Sequence, residues 1–444
     1  MNSYKFLLKD YQAVHSAEID LNGVTIIAGE NGCGKSTTTR WIYYLMEVIT
    51  NFEKYAFKDY KRSLFQLLSK LDSVRREVTM FYSVSESPNF SRLRNRLNVI
   101  QGDRPDDVAA FNLAFEEYVS KLSDILESYF DSPQTSARKQ RLLSYIGNNE
   151  STPQFDKDAF VETYVSQLNN YYDRYIDNCA RRNNVSMWRI LQNYFDDKLT
   201  IPQKINFQED GVDMVGTQQL GHLFGLSRCI YVDTPMALAR MSDTDNVFWK
   251  QLRTMMFAKR ETELSLPAKK MIMRIRKIIN GSIIIDPDSI DDDELRFVRE
   301  DGELNIPIEE TATGLKSFAY VLKLLENGLL DSQTMLIIDE PEVHLHPQWV
   351  VEFARILLML NKELGVHVVL ASHNPDFVSA IRAISEAEGV LDKTNFYLAK
   401  ESDSHKYMYD FKSLAQNIGP IFESFNIALS RIELYGTGST GICE

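Results

Sequence analysis

The sequence has little cysteine: four residues in 444, at Cys33, Cys179, Cys229 and Cys443. They are scattered, with no paired metal-ligand spacing, which argues against a disulfide scaffold or a zinc site and for a reduced, cytoplasmic setting. Long apolar runs are also lacking. Trp41–Met46 and Ile356–Leu360 are among the longer ones, far short of the roughly 18–20 residues a membrane span needs. The opening MNSYKFLLKDYQ has Lys5, Lys9 and Asp10 inside its apolar pattern, so no secretory signal is expected. Positive charge is in the minority. A net charge of −13 rules out a protein basic all over, and any nucleic-acid contact would need a local patch. There is no internal repeat, and low complexity is confined to the tail YGTGSTG.

What is present is ordinary globular material, 44% hydrophobic and 25% charged. The length suits two or three domains, or one large domain with an insertion. YKFLL, AEIDL and VTIIA read as strands, and a Gly-rich turn then leads into the helix TTTRWIYYLMEVI. Arg76–Val84 and Arg96–Ile100 are rich in β-branched and apolar residues and read as two further strands. From about Asp106 to Asp197 the pattern turns helical. Phe115, Val119, Leu122, Leu126 and Tyr129 form one stripe and Val161, Val165, Leu168, Tyr172 and Tyr175 another; both are read as core seams. KINF and VDMV flank QEDG as a hairpin, CIYVD is a buried strand, and PAKKMIMRIRKII a basic helix. A second hairpin turns at EDG in ELRFVREDGELNI. Helices and strands then alternate: a helix from Gly314 to Gly328, MLIID, a helix from Pro347 to Leu364, VHVVLAS, and a helix after Pro375. Such alternation implies a mostly parallel sheet covered by helices.

Four segments carry chemistry. GENGCGKS, Gly29 to Ser36, sits between a strand and a helix and fits a phosphate-binding loop. Gly29, Gly32 and Gly34 let the backbone curl so that the N–H groups of Glu30, Asn31, Cys33 and their neighbours face one phosphate cluster. The helix start through Thr37 adds its positive dipole end. Lys35 brings a mobile charge for the outer phosphates, and Ser36 a hydroxyl for Mg²⁺. In the second segment, MLIIDEPEVHLHP, Asp339 and Glu340 end a buried strand, where open α/β sheets bind ligands. Asp339 is placed to hold Mg²⁺, and Glu340 to orient or deprotonate water. Alone, this would be an ordinary acidic strand end; the phosphate loop gives it meaning. In VVLASHNPDF, His373 follows a buried strand, within reach of the last phosphate of a nucleotide on that loop. In TATGLKSFAYVLKLL, Thr311 or Thr313 can cap a helix, Gly314 permits close approach of a phosphate, and Lys316 adds charge.

Taken together and in this order, the segments resemble the ABC-type ATPases, and within them the RecF/SMC-like branch. YKFLLKDYQAVHSAEIDLNGVTIIAGENGCGKST is similar to that branch's opening. DEPEVHLHP and SHNPDF resemble the phrases of its anti-phage defence members, the OLD-type ATPases and the ATPase subunits of the Septu (PtuA) and PARIS (AriA) systems. The resemblance covers roughly residues 1–45 and 220–385. It makes TATGLKS the signature segment in place of LSGGQ, with Thr313 where a serine is usual, and His373 the switch residue. No Q-loop glutamine is placed. The implied fold class is α/β: an ABC-type P-loop NTPase head with a mixed sheet covered by helices, plus an inserted helical domain. The divisions are 1–100, 101–200, 201–398 and a C-terminal extension, 399–444. The implied activity is ATP hydrolysis with Mg²⁺ between two heads, in a homodimer or higher oligomer. Thr313, Gly314 and Lys316 would act on the partner's nucleotide, and Glu340, His373 and Lys35 in catalysis.

Four basic clusters stand out: Arg92–Arg96, Ala137–Arg141, Ala180–Arg182 and Lys269–Lys277. They could track DNA or RNA, or be solvated faces and contacts to an acidic partner. No nuclease is visible. There is no HNH-like cluster, the residues after His373 are too few for a TOPRIM domain, and Asp286-Pro287-Asp288 reads as a turn. The resemblance therefore suggests a sensor or scaffold ATPase with a separate nuclease effector, of HNH or TOPRIM type, and no membrane partner. A RecF-like DNA-repair ATPase is the alternative, and a transporter subunit a third. The helical insertion is too short for an SMC arm at about 1.5 Å rise per residue.

Overall fold

A computed structural model describes residues 2–81, 108–133, 135–146, 155–196, 198–216, 218–233, 246–260, 263–286 and 294–423. The chain forms two compact units, 1–50 with 191–444, and 51–190. It passes from the first to the second inside helix α1 (Lys35–Phe81), where Asn51 leaves helical geometry at φ −110° and ψ 25°.

The larger unit is built on a ten-stranded sheet among the described residues. Its strands are β1 (Tyr4–Tyr11), β2 (Val14–Asp20), β3 (Val24–Ala28), β4 (Lys204–Glu209), β5 (Val212–Asp213), β6 (Arg228–Val232), β10 (Thr334–Asp339), β11 (His367–Ser372), β12 (Thr394–Glu401) and β13 (Tyr409–Ala415). They run in the order β5-β4-β1-β2-β13-β12-β3-β11-β10-β6. One half, β12-β3-β11-β10-β6, is parallel throughout. Its strands β3, β10 and β11 are buried along their whole length, as expected where helices cover both faces. The other half is held by antiparallel β4–β1–β2 pairing, so the sheet is mixed. A separate antiparallel sheet joins β7 (Gly281–Ile285), β8 (Leu295–Arg299) and β9 (Asn305–Pro307). Ile26, Leu336 and Leu370 of the sheet share one core with Phe318, Phe353 and Leu357 of the covering helices.

The smaller unit is helical: the second half of α1, then α2 (Val108–Asp131), α3 (Ser136–Ile146), α4 (Lys157–Arg181) and most of α5 (Asn184–Tyr194). It takes in 51–81 as well as the stretch read as helical from sequence. Arg76–Phe81, expected in a strand, instead closes α1. Leu67, Leu71, Val74 and Val78 there are buried at helical spacing, and packing of that seam outweighs the β-propensity of Val78 and Thr79. Arg96–Ile100 and the tail lie outside the described residues. The first stripe is buried as expected. The second is rotated: Phe160, Tyr164, Leu168 and Tyr175 are buried, so Val161, Val165 and Tyr172 sit at the seam's edge.

Back in the larger unit, both hairpins and the four later helices form where expected: α7 (Leu266–Ile279), α8 (Thr313–Glu326), α9 (Pro347–Leu364) and α10 (Pro375–Ala387). Four elements were not read from sequence: α6 (Val247–Met256), β7, β12 and β13. The last two carry the main sheet past residue 398, into the span read as a C-terminal extension.

Candidate active site

The register of the parallel half sets the site. Ala28, the last residue of β3, pairs with Ser372 at the end of β11. On the other side of β11, Ala371 pairs with Asp339 at the end of β10. Adjacent strands lie about 4.8 Å apart. Gly29–Ser36, His373 and Asp339–Glu340, far apart in sequence, therefore leave three neighbouring strands at one level.

In the Gly29–Ser36 loop, Gly32 and Gly34 take φ of 83° and 90°, which side chains rarely tolerate. A Cβ on Gly34 would also lie 2.8 Å from Val14 Cγ2, while Gly32 faces open space. Cys33 is buried, and burial pushes its thiol above the usual range. Lys35 is buried with its ammonium folded over the loop, donating to the carbonyls of Gly29 (2.9 Å) and Glu30 (2.7 Å). Those are weak acceptors compared with a phosphate, so the lysine is held where a phosphate can take it over. Glu30 and Asn31 are exposed. Ser36 and Thr37 open α1, whose first N–H groups have no partner within the helix. Thr37 Oγ1 donates to Gln12 Oε1 at 3.3 Å.

Asp339 is 5% exposed. Burial holds its carboxyl above the ordinary aspartate range; the nearby Ser36 hydroxyl counters this, and the Glu340 charge adds to it. Tyr231 donates to Oδ2 at 3.4 Å. Oδ1 is buried without a hydrogen-bond partner. An orphaned buried carboxylate oxygen beside a serine hydroxyl fits Mg²⁺, which takes one or two protein ligands and completes its shell with water and phosphate. Glu340 has left-handed backbone, φ 50°, a conformation costing about 1–3 kcal/mol off glycine. Its N–H still donates to the Ala371 carbonyl at 2.8 Å, and its side chain is 41% exposed. His373 Nδ1 lies 3.3 Å from Glu340 Oε1 and 3.6 Å from Glu342 Oε1.

The capping expectation at 311–316 needs correction. The residue preceding α8 is Ala312, with no side-chain cap. Thr311 instead donates its hydroxyl to the Ile308 carbonyl at 2.7 Å, and Thr313 is the first helical residue. Lys316 does not reach outward. It is 3% exposed and donates to the Glu309 carbonyl at 2.8 Å, and burial lowers its pKa. Gly314 is packed: a Cβ there would lie 3.1 Å from the Trp349 ring and 3.2 Å from the His344 carbonyl.

The basic clusters are largely answered in place. Arg181 pairs with Asp177 at 2.7 Å and Arg276 with Glu326 at 2.7 Å. Arg182 is buried, and Lys139 donates to the carbonyls of Phe130 and Ser132. Arg92–Arg96 lies outside the described residues. On α7, Lys269, Lys270 and Lys277 stay exposed.

Sequence reasoning missed Glu342, Ser372 and Tyr231. Glu342 is buried and accepts from the Ser372 hydroxyl at 2.7 Å and the His373 N–H at 3.2 Å; burial raises its pKa. The only signal was its place two residues beyond Glu340 in DEPE.

Residues 240–379 match a family profile described as "AAA domain, putative AbiEii toxin, Type IV TA system". No curated protein matches the chain. Among solved structures it is similar to the Smc head domain of Pyrococcus furiosus with an extended coiled coil, bound to the C-terminal domain of ScpA. That likeness has 10% identity and a TM-score of 0.33, over 98% of this chain and 100% of that one. The Smc head with coiled coil and joint from Pyrococcus yayanosii gives 10% and 0.37, over 97% and 100%. An ATP-binding cassette of an ABC transporter, MJ1267 in its ADP conformation, gives 9% and 0.33, over 96% and 98%. The expected α/β class holds: a mixed sheet covered by helices, with a helical unit inserted. No helix among the described residues is long and apolar enough to cross a membrane.

Proposed function

We propose that this chain binds and hydrolyses ATP at the ends of β3, β11 and β10. The observation that carries this reading is the orphaned Asp339 Oδ1 beside Ser36, at the foot of the phosphate loop. The loop N–H groups and the start of α1 bind the phosphates. Lys35 exchanges the Gly29 and Glu30 carbonyls for phosphate oxygens. Ser36 and Asp339 would hold Mg²⁺, which when bound neutralises charge on the outer phosphates. Glu340, thrown outward by its left-handed backbone, orients the attacking water and accepts its proton as the bond between the β- and γ-phosphoryl groups breaks. His373 touches the γ-phosphate. Glu340→Gln should lower turnover by about 10²–10⁴-fold with ATP binding retained, read by phosphate release and by equilibrium binding. Unchanged turnover would sink the role.

In this reading two heads close over two nucleotides, each offering the start of α8, at Thr313 and Gly314, to its partner's phosphates. Lys316, tied to Glu309, contributes through the helix rather than by direct contact. The chain would act as the sensor or scaffold subunit of an anti-phage defence complex that controls a separate nuclease. What supports that role is the likeness of DEPEVHLHP and SHNPDF to the defence ATPases, together with a family profile whose description names a toxin of a toxin–antitoxin system.

One observation favours the DNA-clamping alternative, the exposed Lys269, Lys270 and Lys277 of α7. If they track a phosphate backbone, binding falls with salt at a slope of about one per phosphate neutralised. A flat response in a filter-binding titration would dismiss it.

A further inference from the structure

Glu342 has no part in the reaction drawn above, yet it is the most deeply enclosed carboxylate of its loop, its side chain 3% exposed against 41% for Glu340. A carboxylate taken out of water needs strong partners. The partners it has all lead to His373. Its Oε1 accepts from the Ser372 hydroxyl and from the His373 backbone N–H, and lies 3.6 Å from His373 Nδ1. Oε2 and His373 Nδ1 are both buried, and neither has a hydrogen-bond partner. The imidazole as a whole is 38% exposed, so its exposure comes from the remaining edge of the ring.

Nδ1 thus faces two carboxylates, Glu340 at 3.3 Å and Glu342 at 3.6 Å. Neither approach has hydrogen-bond geometry, but a bare lone pair there would be repelled by two anions, whereas the positive end of an N–H is attracted to both. The partner of one ring nitrogen fixes the role of the other. Glu340, being exposed, is free to turn to a water; Glu342, enclosed and bonded to the backbone, is not. We infer that Glu342 is a positioning residue acting through His373. It pins the chain where β11 ends and keeps the proton on Nδ1 after Glu340 turns away, so that His373 gains and gives up protons at Nε2 alone. Nε2 then donates to an anion only as the imidazolium, without releasing Glu342. The inference rests on the ATPase reading for the use made of Nε2, but not for the state of the ring.

The test uses the full chain labelled with ¹⁵N-histidine, without nucleotide, and two-bond ¹H–¹⁵N correlations. The His373 signals are assigned by their loss in His373→Gln. The wild type should show the Nδ1–H form. Glu342→Gln keeps an oxygen for Ser372 and the His373 N–H but removes the charge, and its amide can donate to a bare Nδ1. Its ring signals should move toward the Nε2–H form, and turnover should fall about 10- to 100-fold, as for other residues that orient an acting group, with KM unchanged. A wild-type ring in the Nε2–H form would overturn the inference. So would Glu342→Gln with unaltered ring signals. A ring that responds as expected in a wild-type protein that hydrolyses no ATP would uphold the positioning role and refute the ATPase reading instead.

Discussion

Asp339 and Glu342 are both held in water-poor surroundings that favour their neutral forms. A folded-state pKa raised above the unfolded value means the native protein binds the proton more tightly. Stability then falls as pH rises from the ordinary carboxylate range through the raised value, and the cost is complete above it. For Glu342 this makes a direct prediction. Glu342→Gln, which removes the buried charge but keeps the hydrogen-bond acceptor, should melt about 1–3 °C above the wild type near neutral pH. The gap should close as pH falls through the wild-type glutamate's titration, and thermal melting at several pH values reads it. A site residue whose removal stabilises the protein while slowing it is the usual sign of a group kept for function.

At the scale of elements, the segment 311–316 shows how the same residues can be recognised and misassigned. TATGLKS does precede a buried helix. Its capping threonine, however, is spent on the Ile308 carbonyl, and its lysine is drawn into the protein by Glu309. Gly314 is small because Trp349 and the His344 carbonyl press on it, which ties α8 to the loop after Glu340. Gly314→Val should push this junction apart and destabilise the larger unit by about 1–3 kcal/mol, the common cost of overpacking, seen as a lower urea midpoint. If the midpoint holds while ATP-dependent assembly is lost, the glycine serves the approach of a phosphate rather than packing.

For the whole molecule, closure of two heads requires a ligand that binds the closed state better than the open one. Glu340→Gln, able to bind ATP but slow to break it, should accumulate the closed form. Light scattering on this variant should give twice the monomer mass with ATP and Mg²⁺ and the monomer mass without nucleotide. One mass under both conditions would contradict the head-to-head proposal. Acidity on the scale of a −13 net charge opposes association of two copies at low salt, so the dimer should strengthen as salt is raised to physiological levels.

The sequence alone marked the loop ends that make up the candidate site. Glycines at fixed spacing before a helix, two acids after a buried strand and a histidine after another are local patterns, set by backbone sterics and short-range periodicity. Its alternating helices and strands also marked four of the five strands of the parallel half, all but β12. Only the tertiary structure decided which ends meet: Ala28 lies beside Ser372, 344 positions away, and Ala371 beside Asp339, 32 positions away. It decided, too, that Arg76–Phe81 is helix, that β13 joins the main sheet, and that Lys316 turns inward. Most of all it made Glu342 informative. Desolvation belongs to a place in the folded protein, so no pattern in DEPE could say which of its carboxylates is enclosed with a histidine and which stands open to water.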